Sequence, residues 1–257
     1  MILVLAGTKD GRLLAKELAD ADYPVLASAV SPYGCFLLKE TMGGEVRSGP
    51  LDEDGLVALL WERQITMVVD ATHPFAVEVR HNVQRACARL QIPGLRFERE
   101  SLPAEQGGGG TVLPVADLEG AINAAAPVSG KIFLATGSSS VAAFVRALDP
   151  QRLIVRLLPD PESLRQCMSL GIDPGRIVAM QGPFTVEMNR EMFRHFGVAL
   201  VISKESGKTG GLSEKITAAE QLQIPIIVIG RPPLPQGPVF SDIQELLAHV
   251  HRYFNKA

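Results

Sequence analysis

The sequence predicts an α/β protein of two domains, each a parallel sheet covered by helices on both faces, with a cleft between them. Three observations carry that expectation. Short apolar runs alternate with longer amphipathic ones along almost all of the 257 residues. The apolar runs are near-continuous in Val, Ile, Leu and Ala, as strands buried on both faces must be. The alternation breaks once, in a Gly- and Pro-rich stretch at residues 103–114.

The strands are expected at residues 2–6, 25–30, 67–71, 132–135, 153–158, 177–180, 199–202 and 225–229. Pro225 fits only as a first strand residue, because it has no N–H for the ladder. Helical periodicity follows most of these runs. Phe75, Val79, Val83, Ala86 and Leu90 fall on one face, with Pro74 at the first helical position. Leu56, Leu59 and Leu60 form a second stripe. Ile243, Leu246, Leu247, Val250 and Phe254 form the last, with Ser241 and Gln244 as its capping box. Repeated strand–helix alternation implies parallel sheets with right-handed crossovers.

Gly107-Gly108-Gly109-Gly110 cannot lie inside a helix or strand at reasonable cost. Residues 1–102 are therefore expected as an N-terminal domain, 103–116 as a linker and 117–257 as a C-terminal domain. The last helix is able to pack on either. The net charge, 25 − 28 = −3, speaks against a general nucleic-acid binder, which needs a basic surface. It leaves room for a local basic pocket. Cys35, Cys87 and Cys167 are odd in number and far apart, which fits a reducing compartment. No run reaches the ~18 apolar residues of a membrane span, and the first residues lack a basic signal-peptide region. A cytoplasmic protein with neither membrane nor nucleic-acid partner is expected. The oligomeric state is not readable.

In an open parallel sheet, ligands bind beyond the carboxyl ends of the strands. Five such ends carry small polar tips: Ala6-Gly7-Thr8, Ala71-Thr72-His73-Pro74, Ala135-Thr136-Gly137-Ser138, Gln181-Gly182-Pro183-Phe184 and Ser203-Lys204-Glu205-Ser206-Gly207. Gly7-Thr8 reads as a ligand loop or a tight turn, without the G-x-G-x-x-G fingerprint. Ser138-Ser139-Ser140 reads as a phosphate contact or a helix cap. His73 reads equally as structural or functional. His195, His249 and His251 read as surface, and Met188, Met192, Phe193 and Phe196 as core. The segment from Lys204 to Gly211, with Lys208 and then Lys215, reads as a solvated charge run or as an anion-binding loop, and the second accounts for both the glycines and the lysines. No metal spacing, H-E-x-x-H or G-x-S-x-G occurs, so the residues point to a bound cofactor carrying the chemistry.

These residues fall into a pattern. The Leu5–Arg12 run, with Gly7-Thr8 and Gly11-Arg12, resembles the GGTxEGR-type loop of precorrin-6A reductases. Asp70-Ala71-Thr72-His73-Pro74-Phe75-Ala76 closely resembles that family's DATHPFA signature. Arg96-Phe97-Glu98-Arg99 is similar to its R-x-E-R strand. Gln181-Gly182-Pro183-Phe184 with Glu187 and Asn189 resembles its QGPF…E-x-N segment. Lys204, Ser206-Gly207, Gly210-Gly211, Lys215, Ala218-Ala219 and Arg231-Pro232 resemble its K-x-SG…GG…K…AA…RP stretch. Ala6 and Asp10 depart from the family's usual Gly and Glu.

The resemblance implies two Rossmann-like domains and a reductase that uses NADPH, or NADH in some cobalt-containing pathways. The substrate it implies is precorrin-6A or cobalt-precorrin-6A, an anionic tetrapyrrole, reduced at one double bond to the 6B form. On that reading the cofactor candidates are Gly7, Thr8, Asp10, Gly11, Ser31, Tyr33, Thr72, Thr136, Gly137 and Ser138. The substrate's carboxylates call for cations. The cationic candidates are Arg99, Lys204, Lys215 and Arg231, joined at the substrate by Ser206 and Gly207, with Arg80, Arg96, Arg156 and Lys208 behind them. The second strand ends in Val30-Ser31-Pro32 with no acidic residue, which favours NADPH over NADH. His73 or water is expected to supply the proton. Two alternatives stay open: a cofactor-free enzyme like uroporphyrinogen-III synthase, and a non-catalytic two-domain ligand-binding protein.

Overall fold

The computed structural model describes residues 1–101, 112–207, 210–233 and 237–255. The chain forms two compact units. One comprises Met1–Glu100 and Pro233–Ala257, the other Ser101–Pro232.

The first unit opens with β1 (Ile2–Leu5), α1 (Lys9–Asp20), β2 (Val25–Ala29), α2 (Pro32–Met42), β3 (Glu45–Ser48), α3 (Glu53–Glu62), β4 (Met67–Asp70), α4 (Val77–Leu90) and β5 (Gly94–Phe97). The second unit holds β6 (Val112–Val115), α5 (Leu118–Ala125), β7 (Lys131–Ala135), α6 (Val141–Ala147), β8 (Leu153–Leu157), α7 (Pro161–Ser169), β9 (Ile177–Ala179), α8 (Val186–Phe196), β10 (Val198–Lys204), α9 (Leu212–Gln221) and β11 (Ile226–Ile229). The chain then returns to the first unit as β12 (Val239–Phe240) and α10 (Ile243–Phe254).

Each unit carries a six-stranded sheet, in the orders β3-β2-β1-β4-β5-β12 and β9-β8-β7-β10-β11-β6. Every described pairing is parallel. Both sheets run outward from a central strand, first one way and then the other, which is the Rossmann-like order. The order reverses between β1 and β4 in one unit and between β7 and β10 in the other.

Alternation along the strands fills both faces of the first sheet. Ile2 and Val4 pack with Leu14, Leu18, Leu38, Leu246 and Val250 from α1, α2 and α10. Leu3, Leu5 and Val68 pack with Leu56, Leu60, Val83 and Ala86 from α3 and α4. In the second unit Phe133 and Val201 meet Phe193, Leu212 and Ala218 from α8 and α9. Phe133 and Phe193 stack edge to face at 5.1 Å, a favoured aromatic geometry.

Several expectations need correction. Residues 117–257 are not one domain: β12 pairs with β5, and Leu246 and Val250 are fully buried in the first unit's core. The apolar stripe of α10 is as the sequence implies, but periodicity does not say which sheet it covers. Residues 112–115, expected within the linker, form β6 beside β11. Pro114 is tolerated there because β6 is an edge strand. The four glycines lie outside the described residues. Helix α4 starts at Val77 rather than Pro74, because residues 73–76 form a turn in which Ala76 N donates to His73 O at 2.8 Å. Asp242, not Ser241, caps α10, accepting from Glu245 N at 3.0 Å.

Leu246→Ala should cost ~2–5 kcal/mol, as deletions of large core side chains do. Hydrogen exchange should quicken at β1 and β5 amides and leave β7 and β10 unchanged, since only the first unit's core is opened.

Candidate active site

The reversal at β1 and β4 brings two of the polar tips together. Leu5 pairs with Asp70 across the ladder, so Gly7-Thr8 and Thr72-His73 leave neighbouring strands. Thr8 caps α1: its hydroxyl accepts from Gly11 N at 2.9 Å and donates to Ala71 O at 3.0 Å. That hydroxyl is spent on joining the two tips. Gly11 is buried where helix meets sheet. A Cβ there would stand 2.9 Å from Ala6 Cα and 3.0 Å from Ala71 O, so only glycine lets α1 approach so closely. Gly7 is exposed, and a Cβ on it would meet nothing within 4 Å. One glycine serves helix packing and the other leaves backbone open, two of the roles glycines play in dinucleotide loops.

Asp10 lies in the first turn of α1 and forms an ion pair with Arg99. Arg99, expected at the substrate, thus belongs to the same edge as the α1 loop. Ser31 caps α2, accepting from Gly34 N at 3.0 Å, and Tyr33 stacks on Phe36 at 6.5 Å. Arg12, the last residue of the Gly7–Arg12 loop expected at the cofactor, sits among these groups. Burial lowers its guanidinium from the ordinary value, while Tyr33 and Asp10 oppose the shift. His73 is exposed, and its Nδ1 accepts from Phe75 N at 3.3 Å. The neutral ring therefore carries its proton on Nε2.

The second unit repeats the arrangement. Ser203 pairs with Ala135, setting the Thr136–Ser138 tip beside Lys204. The hydroxyl of buried Thr136 accepts from Ser140 Oγ at 2.7 Å, and Ser138 Oγ lies 3.1 Å from Ser163 Oγ. Gly137 adopts φ +78° with open space at its Cβ position. Beyond β10, Gly207 N donates to Glu205 Oε1 at 2.9 Å, and Ser206 Oγ donates to Gly210 O at 3.2 Å. Glu205 pairs with Arg231. Lys208 and Thr209 lie outside the described residues.

Cations collect beneath this edge. Arg156 of β8 lies over the rings of Phe184 and Phe133, at 4.4 and 5.3 Å. It donates to Asn189 Oδ1 at 2.7 Å, and Asn189 Nδ2 donates to the carbonyls of Phe184 and Thr185 at 3.2 and 2.9 Å. Asn189, noted in the motif but not among the expected site residues, so anchors the 181–184 tip. Lys215 is buried in α9 and donates to Gly210 O at 3.4 Å. Burial, with Arg156 adding repulsion, pushes its ammonium down to about 7, against the pull of Glu214 and Glu205. Burial alone brings Arg156 to about 10 and lowers Lys204. The Met188 expected in the core is 41% exposed, beside a surface cavity of about 500 Å³ lined by Phe184 and Glu191. Met192, Phe193 and Phe196 do pack in the core.

The expected residues therefore form two groups, one at each sheet's reversal. Comparison with known proteins gives the arrangement a name. Residues 1–251 match the family model described as precorrin-6x reductase CbiJ/CobK. The chain belongs to this reductase family. A cobalt-precorrin-6A reductase of Priestia megaterium is 36% identical over 259 residues, covering 100% of this chain and 99% of the relative. A precorrin-6A reductase of Rhodobacter capsulatus is 32% identical, covering 96% and 94%. The solved structure of a CobK precorrin-6A reductase superimposes with a TM-score of 0.78 at 29% identity, covering 98% of this chain and 96% of that one. Family membership makes the protein a nicotinamide-dependent reductase and bears out the resemblance read from the DATHPFA and K-x-SG segments. Among the described residues no helix is long and apolar enough to cross a membrane.

Two tests follow. Gly11→Ala should destabilise the protein by ~1–3 kcal/mol through overpacking, lowering the thermal midpoint, whereas Gly7→Ala should keep the midpoint and weaken nicotinamide binding in a titration. The second concerns Lys215. An unfolded lysine titrates near ~10.4, so between about pH 7 and that value the unfolded chain holds more protons than the folded one. Stability should therefore rise with pH across this window. Lys215→Met should remove that slope and be the more stable form at pH 7, as thermal melts across pH would show.

Proposed function

We propose that the protein reduces one carbon–carbon double bond of precorrin-6A, or its cobalt form, in the cytoplasm, with NADPH as the preferred donor. The observation that carries this reading is the glycine pair at β1: Gly11 admits α1 against the β4 tip while Gly7 leaves backbone open. On it, Gly7, Asp10, Gly11, Ser31, Tyr33 and Thr72 hold the cofactor, and Arg99 keeps Asp10 in place. NADPH is favoured because β2 ends in Val30-Ser31-Pro32 without an acid, while Arg12 lies near Tyr33.

The substrate's acetate and propionate arms suit the second unit's edge. Gly137 and Ser138, read from the sequence as cofactor candidates, share that edge with Lys204, Ser206, Gly207, Lys215 and Arg231 and are assigned to the substrate instead, and Arg156 adds a buried positive charge beneath it. Charge-assisted bonds to carboxylates are the strong ones. Thr136 serves the tip from below, since its hydroxyl is already engaged. The cofactor, when bound, supplies hydride; the chain holds the acceptor in place, and positioning alone is worth roughly 7–11 kcal/mol. A proton must reach the neighbouring carbon. His73, exposed at the β4 tip, presents Nε2 for that transfer; the ring gives the proton up as an imidazolium, with Nδ1 protonated and released from Phe75 N, and returns to the neutral form.

Anaerobic turnover of both macrocycles, followed at 340 nm with NADPH and NADH in turn, tests the reading. NADPH oxidation matched by 6B product is expected, with NADH slower. No oxidation with either macrocycle would overturn it. His73→Ala should slow turnover by ~10²-fold; a loss of only a few-fold gives the proton to solvent.

A further inference from the structure

Beneath the β4 tip lies a buried chain of charges that fixes one hydroxyl. Asp70 of β4 and Arg96 of β5 are direct ladder partners, so both side chains emerge on the same sheet face. Their side chains and that of Glu98 are at most 4% exposed. Arg96 donates from Nε and Nη2 to Glu98 Oε2 at 3.0 and 2.8 Å. Its Nη1 lies 3.0 Å from Asp70 Oδ1, 3.2 Å from Asp70 O and 3.3 Å from Thr72 Oγ1. Asp70 Oδ1 also accepts from Thr72 N at 3.0 Å and from Thr72 Oγ1 at 2.6 Å.

These contacts settle the polarity of Thr72. A hydroxyl has one proton and two lone pairs. A carboxylate accepts only, so the proton points inward to Asp70. One lone pair faces Arg96. The other remains on a half-buried side chain at the strand-order reversal. Thr72 can then offer a ligand an acceptor and never a donor.

We propose that Thr72 accepts a hydrogen bond from an N–H or O–H group at the nicotinamide end of the cofactor, and that Arg96 and Glu98 are positioning residues that hold this polarity. A phosphate oxygen, with no proton to give, is the wrong partner. The donor has two sources, the carboxamide and a ribose hydroxyl. The inference rests on the β1–β4 edge being the cofactor site, a reading that Gly7→Ala tests separately.

The experiment measures dissociation constants by calorimetry for wild type, Thr72→Ser, Thr72→Val and Glu98→Gln. The probes are NADPH, its analogue with a carboxylate for the carboxamide, and an analogue lacking a hydroxyl on the nicotinamide ribose. Thr72→Ser should bind NADPH like wild type, and Thr72→Val about tenfold more weakly, the cost of one lost hydrogen bond. Wild type should discriminate against one analogue, and Thr72→Val should lose that discrimination; the analogue concerned names the donor. Glu98→Gln should weaken binding by roughly threefold, with KM rising more than kcat falls. Equal discrimination by wild type and Thr72→Val against both analogues overturns the acceptor role. Wild-type binding and discrimination in Glu98→Gln overturn the positioning role. If Thr72→Val keeps wild-type affinity while Gly7→Ala loses it, this inference fails and the site reading stands; if both keep it, the site reading fails too.

Discussion

A parallel sheet has ends that its own ladder does not complete, and the reversal of strand order sets where those ends gather. At β1 and β4, and again at β7 and β10, crossovers depart to opposite faces. The two strand tips are left side by side with no helix closing over both. Helix N-termini point their unpaired N–H groups toward the same place. Everything else at these edges follows from that constraint. Gly11 is required because α1 starts against two strands at once. Asp70 can reach Thr72 because its ladder partner Arg96 supports it from β5.

Most tip hydroxyls are consumed by the fold. Thr8 joins α1 to Ala71, Ser31 caps α2, and Ser140 bonds Thr136. Each meets a backbone donor or a buried acceptor that would otherwise cost free energy to leave unpaired. A polar strand tip is therefore weak evidence of ligand contact in itself. What distinguishes Thr72 is not its hydroxyl but the direction in which buried charges turn it.

The fold was legible where burial is strongest. The long apolar runs became central strands, and the stripes of α3, α4 and α10 pack as their spacing implies. Apolar patterning missed β3, β5, β6 and β12: β3, β6 and β12 are short edge strands with a weak apolar pattern, and β5 is a four-residue strand interrupted by Arg96 that entered only through the R-x-E-R resemblance. Val239–Phe240 contributes two residues only. The membership of α10 was illegible for a different reason: an apolar stripe specifies that a surface is covered, not which one. At the strand-order reversals, the polar-tip pattern singled out Gly7, Thr72 and Lys204, which the sheets place there. It did not show that Arg99 pairs with Asp10, or that Arg12 approaches Tyr33, since such contacts join separate elements of the chain.

The second unit poses an electrostatic problem that its own residues do not solve. Lys215 and Arg156 are both buried and repel each other, and the nearest acid on the loop, Glu205, already pairs with Arg231 and Gly207 N. Burying a cation without full compensation is expensive, and the cost appears as the lowered proton affinity of Lys215. An apolar side chain would serve packing better. On the proposed reading, a substrate carboxylate at the edge above it would raise the ammonium's proton affinity, because a nearby opposite charge favours the charged form. On that reading, the charges that lower the proton affinity of Lys215 are the same ones that suit this edge to a polyacid.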